Sequence, residues 1–457
     1  MRIIIDIQCI GTASRYRGIG NYSIALVKKI LELNNEHDIF LLINNNSEEV
    51  ISIIKTEFVG LIEEDKIKAF HCFANANEML QANLPYIMVS EKIRNHVIDS
   101  LNPDFVLVTS LFEGGNEDFI CSIDKKRSYK IGVIGYDLIP LMNVDLHLPT
   151  QASKSWYFRK FESLKNSDYI FSISESAKTE FKNYLSISDA ELLNISSACD
   201  DLYHKVSSDS NSMLSDFPIT REFVLYSGAC DERKNLKGLL NAFAKLKSEI
   251  RKKYQIVLVG KYPDTGKQEL DALAAKLHLE SDTIIYTGFI TNESLKNLYK
   301  KCRVFVFPSF HEGFGLPVLE AMTCGAPTIC SNTSSLPEVI GIEDAMFDPY
   351  DIDDINQKLL SALEDDDFRA LLTANAQERA NHFSWKDSAE RLLTFVNDNV
   401  TPRTEFLNYT DNYKLFVDEL PELISKYSLD NNTLKYIAKC IVANQNECKV
   451  ILKLNSM

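Results

Sequence analysis

Phe305-Val-Phe-Pro-Ser-Phe-His-Glu312-Gly-Phe-Gly-Leu-Pro-Val-Leu-Glu320-Ala-Met322 carries an apolar strand into a glycine-bearing loop and then into a helix. Phe305 to Phe307 reads as a buried parallel strand. Gly313 and Gly315 let the backbone approach a ligand closely. Pro317 suits a first helical turn, where its missing N–H has no partner to lose. The helix start offers free N–H groups and a positive dipole end, a seat for phosphate. Glu312 in the loop and Glu320 on the helix flank that seat, and ionised carboxylates accept the hydrogen bonds that a sugar donates. An ordinary strand–loop–helix turn with a solvent-facing Glu320 is the competing reading.

At 457 residues the chain is too long for one core, so two domains and an appendage are expected. Its 45% hydrophobic and 25% charged residues are those of a globular protein. A formal charge of −15 argues against nucleic acid as a partner. Basic clusters at Arg15/Arg17, Lys125–Arg127, Arg251–Lys253 and Lys300/Lys301/Arg303 read mostly as solvated faces. One such patch, or the tail, is left open as a peripheral membrane contact. The ten cysteines form no CxxC pair and no His/Cys cluster, which argues against zinc and a redox dithiol. Asp6 interrupts the apolar start, and no apolar run is long enough to span a membrane, so a cytoplasmic location is expected.

β-Branched runs alternate with amphipathic stretches, the pattern of α/β layers with parallel sheets. The first series is Arg2–Ile7, Asp38–Ile43, Phe105–Thr109, Lys130–Ile134 and Tyr169–Ile173. The second is Phe223–Tyr226, Ile256–Val259, Thr283–Tyr286, Val304–Phe307 and Pro327–Cys330. A Ser/Asp-rich stretch, 207–216, reads as the linker. The expected layout is an α/β domain over 1–205, a second over 217–384, and a cleft between them. Ligands of open α/β sheets bind beyond the carboxyl ends of the strands, where Glu312 falls. A helix over about 385–398 and a helical tail over 401–457 complete the chain. In the tail Leu434, Ile437, Ala438, Ile441 and Val442 predict one apolar face that docks on a domain or a partner.

Ser227-Gly-Ala-Cys-Asp-Glu-Arg233-Lys234-Asn-Leu236 forms a second strand–loop–helix turn. Cations at a helix start oppose its dipole, so an anion bound to both the cations and the N–H groups would resolve the conflict. Asp351-Ile-Asp353-Asp354 resembles a metal-binding DxD, but its place before Ile355 and Leu359 favours helix capping. Gly18-Ile-Gly20 and Gly313-Phe-Gly315 lack the third glycine of a dinucleotide fingerprint.

With these motifs in view, the chain resembles the family 4 retaining glycosyltransferases of the two-domain GT-B fold. The resemblance rests on Gly228…Arg233-Lys234-Asn235-Leu236, Ile256-Val-Leu-Val-Gly260, Thr287-Gly-Phe289-Ile290, the Glu312-x7-Glu320 spacing and Leu336-Pro-Glu338. Arg17-Gly18-Ile-Gly20-Asn-Tyr22, read as a glycine loop, and Gly135-Tyr-Asp137-Leu-Ile-Pro140 extend it into the first half. It covers about residues 1–398, and Phe383-Ser-Trp385 resembles the start of the family's closing helix.

The resemblance implies an α/β, GT-B fold and a set of roles. Glu320 would hold the ribose hydroxyls of a nucleotide-sugar. Glu312, with Gly313 and the N–H groups of Phe314, Gly315 and Leu316, would grip the donor sugar. Arg233 and Lys234 would neutralise the leaving diphosphate, which with Glu312 makes them the residues of catalysis. Phe289 and Ile290 would lie against the base. Gly18 and Gly20 would sit near the phosphates and acceptor, and Asp137 and Ser174 would also be ligand-binding. No metal and no cofactor are implied, the nucleotide-sugar being a substrate. The expected activity is hexosyl transfer from a nucleotide-diphosphate sugar, foremost GDP-mannose, to a glycan or lipid-linked acceptor in bacterial surface polysaccharide such as O-antigen. A partner transferase held through the tail is a further expectation. A non-catalytic GT-B subunit is the alternative, motivated by two departures from the family pattern. Ala229 stands where an arginine is usual. Tyr136 stands where a histidine is usual, as a core aromatic or at the site. A GT-B epimerase is a third reading.

Overall fold

The computed structural model describes every residue except 46–47, 75, 205–216, 405–408, 428 and 455–457. The stretch read as a linker, 207–216, lies outside the described residues. The chain divides into two compact units. One comprises Met1–Ser172, Glu180–Ile195 and Lys386–Met457, and the other Ile173–Thr179 and Ser196–Trp385. The first division after the opening sheet thus falls at Ile195/Ser196, before the expected 205, and the tail belongs to the first unit.

The first unit is built on a seven-stranded, all-parallel sheet. Its strands are β1 (Arg2–Asp6), β2 (Asp38–Asn44), β3 (Ile67–Phe70), β4 (Phe105–Val108), β5 (Lys130–Gly135), β6 (Tyr169–Ser172) and β7 (Leu192–Asn194), in the order β3-β2-β1-β4-β5-β6-β7. The central strands are continuous apolar runs with both faces buried, such as Ile3–Ile5 and Phe105–Val108, as a parallel sheet between helical layers requires. Five of the seven follow the predicted runs to within a residue or two. The two missed strands, β3 and β7, are the sheet's edges, short and only partly buried. The buried Arg94 of helix Leu84–Ser100 closes on Asp6 at the carboxyl end of β1, Nη2 to Oδ2 2.6 Å. The Gln8 amide donates to the same carboxylate at 2.9 and 3.0 Å.

Helix Trp385–Asn399 belongs to the first unit from Lys386 onward. Its Phe395 meets Tyr169 and Phe171 of β6 edge-on, with ring centroids 5.1 and 5.6 Å apart. The tail forms helices Tyr409–Tyr427 and Asn431–Leu454. They pack on Phe73, Val89 and Ile93 through Ile437 and Cys440, helped by Val417, Leu420, Leu434 and Ile441.

The buried stripe of the last helix differs from the predicted one. Ala438 is exposed and Val442 is 56% exposed, while Thr433, Ile437, Cys440 and Asn444 face inward. The reason is a polar match that hydrophobic periodicity does not register. The chain just past edge strand β3 has main-chain groups to satisfy, and the Asn444 amide satisfies both of His71's. His71 N–H donates to Asn444 Oδ1 at 2.8 Å, and Asn444 Nδ2 donates to the His71 carbonyl at 3.0 Å. Asn444→Ala strands both groups of a partly buried peptide and should cost about 1–2 kcal/mol, read as a lowered midpoint of denaturant unfolding with the m-value unchanged.

The second unit holds a six-stranded parallel sheet, β8 (Glu222–Ser227), β9 (Tyr254–Val259), β10 (Ile284–Gly288), β11 (Val304–Phe307), β12 (Thr328–Ser331) and β13 (Met346–Phe347), in the order β10-β9-β8-β11-β12-β13. All five predicted strands are present. The missed β13 has two residues, too few for any periodicity. Asp351 caps helix Ile352–Glu364, accepting from the N–H groups of Asp353 and Asp354 at 2.8 and 3.3 Å, so the DxD-like run is a helix start.

Candidate active site

In the second unit the predicted residues gather beyond the carboxyl ends of β8, β9, β10 and β11. Gly228 and Gly260 follow β8 and β9 at φ +151° and +142°. Gly228 N–H donates to Val259 O at 3.0 Å, and a Cβ on Gly260 would lie 2.3 Å from the Gly228 carbonyl oxygen. The two crossing loops leave no room for side chains there, so the floor of the site is bare backbone.

After β8 the chain makes a short 3₁₀ turn, Glu232–Lys234, and Asn235 adopts φ +53°, a left-handed conformation that asparagine tolerates. Its Oδ1 accepts from Gly238 N–H at 3.1 Å and caps helix Leu236–Ala244. This kink turns Lys234 inward, its Nζ 5.1 Å from the centroid of the Phe307 ring. Loop 308–315, which follows β11, is stitched to the turn, since Phe310 N–H donates to Arg233 O at 2.8 Å and Arg233 Nη1 to His311 O at 2.6 Å. Glu312 then closes on both cations, with Oε1 2.6 Å from Lys234 Nζ and Oε2 3.0 Å from Arg233 Nη1. Burial alone would raise the Glu312 carboxyl, but Lys234 and Arg233 outweigh it and hold the group below the ordinary glutamate value. Two cations at a helix start predict an external anion; in the structure the chain supplies that anion itself, as Glu312.

Helix Leu316–Thr323 opens on Gly315 at φ +104°, which has no side chain to cap it. Val318 and Leu319 N–H turn back to the Gly315 carbonyl at 3.0 and 3.3 Å. Among the described residues no acceptor stands opposite the N–H groups of Phe314, Gly315 and Leu316. The Phe314 ring itself is buried edge-on against Phe383, centroids 5.6 Å apart. One and a half turns along, Glu320 accepts from the buried Tyr299 hydroxyl at 3.0 Å. Burial pushes its carboxyl up to about 7; the Tyr299 bond works against this and Asp200 adds to it. Past β10, Phe289 projects into solvent, 84% exposed, with Ile290 partly covered beside it.

Ser174, expected at the ligand, is fully buried. Its hydroxyl donates to the Gly313 carbonyl at 2.6 Å and accepts from Ala177 N–H at 2.9 Å, so it braces the glycine loop from behind. Glu338 does similar work, accepting from the N–H groups of Glu175 and Ser176 at 2.9 and 3.1 Å.

The first unit corrects one local reading. Gly18 and Gly20 lie in the first turn of helix Gly18–Leu33 and do not form a loop. A Cβ on Gly20 would fall 2.4 Å from Arg15 Cα and from the Ser14 carbonyl oxygen, so this glycine lets the helix pack against the turn before it. Asp137 accepts from Ile139 N–H at 3.1 Å beyond β5. The Tyr136 hydroxyl lies 3.0 Å from both Ser23 Oγ and the Thr109 carbonyl, and its ring meets Tyr22 edge-on. Tyr136 is thus half-buried, with its hydroxyl turned to partners inside the unit.

Residues 213–379 match the family model described as Glycosyl transferases group 1. The second unit carries a group 1 glycosyl transferase domain. The serotype-specific mannosyltransferase WbdA of Escherichia coli is 35% identical over 394 residues, 85% of this chain and 47% of that protein. The O-antigen chain mannosyltransferase B of Escherichia coli is 36% identical over 234 residues, 51% of this chain and 61% of that one. The chain thus spans about half the length of the first relative. Anabaena Alr3699/HepE, solved in complex with UDP and glucose, superposes with a TM-score of 0.62 at 15% identity, over 87% of this chain and all of that one. That likeness shows the fold, which is GT-B.

Within the glycosyl transferase domain the sequence did not reveal the supports of the site. Tyr299, Ser334 and Ser335 carry no motif, yet Ser334 Oγ accepts from Glu312 N–H at 2.9 Å and Ser335 Oγ donates to the carbonyls of Glu312 and Phe314 at 2.9 and 2.8 Å. Only the run of small hydroxyl residues at 333–335, which can bond nearby backbone, could have hinted at them. The bare floor gives a prediction. Gly260→Ala forces a methyl group against a backbone carbonyl at positive φ and should destabilise the protein by about 3 kcal/mol, seen as a drop of several degrees in melting temperature.

Proposed function

We propose that the chain is a retaining glycosyltransferase that moves a sugar from a nucleotide-diphosphate donor to a glycan or lipid-linked glycan in bacterial surface polysaccharide synthesis. The observation that carries this reading is the cluster of Lys234, Arg233 and Glu312 beside the uncapped start of helix Leu316–Thr323. Two cations and a row of N–H groups suit a diphosphate, and carboxylates on either side suit hydroxyls. Lys234 and Arg233 would stabilise the departing diphosphate, Glu312 would engage the donor sugar, Glu320 the ribose, and Phe289 with Ile290 the base. The acceptor hydroxyl attacks from the leaving-group side and a donor phosphate oxygen takes its proton, so no side chain has to act as the base. The cationic pair and the helix dipole provide the charge that a metal ion would otherwise bring.

GDP-mannose is the donor we favour, supported by the likeness to WbdA and to O-antigen chain mannosyltransferase B. The same reading puts the protein in the cytoplasm, where such donors are made. None of the helices, among the described residues, is long and apolar enough to cross a membrane. The test is a thermal-shift and turnover screen against GDP-, UDP- and dTDP-sugars, because a ligand that binds only the folded state raises its stability. The expected result is a shift with GDP-mannose and mannosyl transfer to an O-antigen acceptor. Silence with every donor would sink the reading and favour a non-catalytic subunit.

A further inference from the structure

Glu312 is the counter-ion of the very cations that would receive a phosphate. Its two oxygens stand 2.6 Å from Lys234 Nζ and 3.0 Å from Arg233 Nη1, and Lys234 and Glu312 are both buried. The backbone that carries it is held from two sides by Ser334 and Ser335. An anion arriving here meets a cluster whose positive charge is largely spent, since Glu312 already occupies both cations and Asp231 stands 3.7 Å from Arg233 Nε. A diphosphate that takes Lys234 and Arg233 has to displace that carboxylate. A buried carboxylate stripped of its partners is strongly unfavourable unless other donors reach it. Phosphate oxygens at neutral pH mainly accept hydrogen bonds, whereas sugar hydroxyls donate them.

We propose that Glu312 is a displaceable counter-ion that makes the site prefer a complete nucleotide-sugar over the nucleoside diphosphate left after transfer. The inference rests on the donor reading above and adds a discrimination to it. An intact donor exchanges partners with the cluster: its diphosphate goes to the cations and its hydroxyls go to Glu312, so every charge stays paired. The spent diphosphate completes only half of the exchange. It takes both cations from Glu312, leaves it only the Ser309 hydroxyl and sets negative charge beside it, which favours release of the product. A carboxylate that merely braced the loop would raise or lower the affinity for both ligands together.

The test compares wild type, Glu312→Gln and Glu312→Asp, each binding inorganic pyrophosphate, GDP and GDP-mannose without acceptor, by calorimetry. In Glu312→Gln the cations lose their buried carboxylate and the cluster gains one unit of positive charge, so pyrophosphate and GDP should bind at least tenfold more tightly than to wild type. GDP-mannose should gain little, and the preference for it should collapse. Glu312→Asp keeps the charge and should keep the preference. Unchanged or weaker pyrophosphate and GDP binding by folded Glu312→Gln overturns the proposal. Should that variant not fold, wild type decides, since GDP bound as tightly as GDP-mannose is equally fatal. A pyrophosphate gain without binding of any nucleotide-sugar, whatever the base, overturns the donor reading and the discrimination while upholding the displaceable counter-ion.

Discussion

Lys234→Ala is expected to lower the rate of sugar transfer by a factor on the order of 10²–10³, the loss seen when one preorganised group facing developing charge is removed. Three features of this lysine make it the sharper of the two cations. It is buried, whereas the Arg233 side chain keeps a fifth of its surface in solvent. It lies over the Phe307 ring, which limits its freedom. It also makes the shorter bond to Glu312, at 2.6 Å. Charge on the leaving diphosphate grows as the glycosidic bond breaks, so the lysine is worth more in the transition state than in the bound donor. The substitution should therefore depress kcat more than it raises KM. Folding should suffer less than is usual when a buried ion pair is broken, because Arg233 still neutralises Glu312. A loss of about 1–3 kcal/mol is expected, against the 3–5 typical of an uncompensated buried charge. Steady-state kinetics across donor concentration, with melting temperatures in parallel, separate the two effects. A near-normal kcat in the Arg233→Ala/Lys234→Ala double variant would show that these cations do not serve the leaving group.

How far the sequence could be read depended on whether the physics was local. The central strands announced themselves because both of their faces are buried, which leaves a run such as Ile3-Ile4-Ile5 with no polar residue to blur it. The edge strands β3 and β7 did not, since half-covered edges mix Lys68 or Asn194 into short segments. The helical tail was legible as helix and misread as to its face. Asn444 turns inward for a backbone partner 373 positions away, a cause that no window of neighbouring residues contains. The site divides along the same line. The Glu312 and Glu320 spacing, the uncapped helix start and the Arg233–Lys234 turn are local and were readable. The pairing of Lys234 with Glu312 spans 78 positions and exists only once β8 and β11 lie side by side. Ser174 shows the converse case. It sits where a motif match leads one to expect a ligand group, but both hydrogen bonds its hydroxyl makes go to protein backbone.

Glu320→Gln is expected to act in opposite directions on stability and on binding, and pH separates the two. The carboxyl is pushed up to about 7 by burial, against an ordinary value of 4.5, despite the Tyr299 hydroxyl that favours its charged form. Between those two values the folded state holds a proton that the unfolded chain releases. Stability therefore falls as pH rises from about 4.5 through 7 and stays lowered above it. Glutamine removes that dependence. Discounted for the partial exposure of the residue, the gain at pH 8 should be on the order of 1–2 kcal/mol, vanishing near pH 4.5. Ribose hydroxyls, in contrast, bond most strongly to the ionised carboxylate. Donor affinity in wild type should accordingly rise between pH 6 and 8. In Glu320→Gln it should be flat, and weaker at pH 8 by roughly 10- to 100-fold, the worth of a hydrogen bond to a charged group. Melting curves and donor titrations at pH 6, 7 and 8 measure both. A variant that melts lower than wild type at pH 8 while binding donor normally would show Glu320 to be structural. The opposite outcome would show a group kept at the expense of stability because its charge is needed by the ligand.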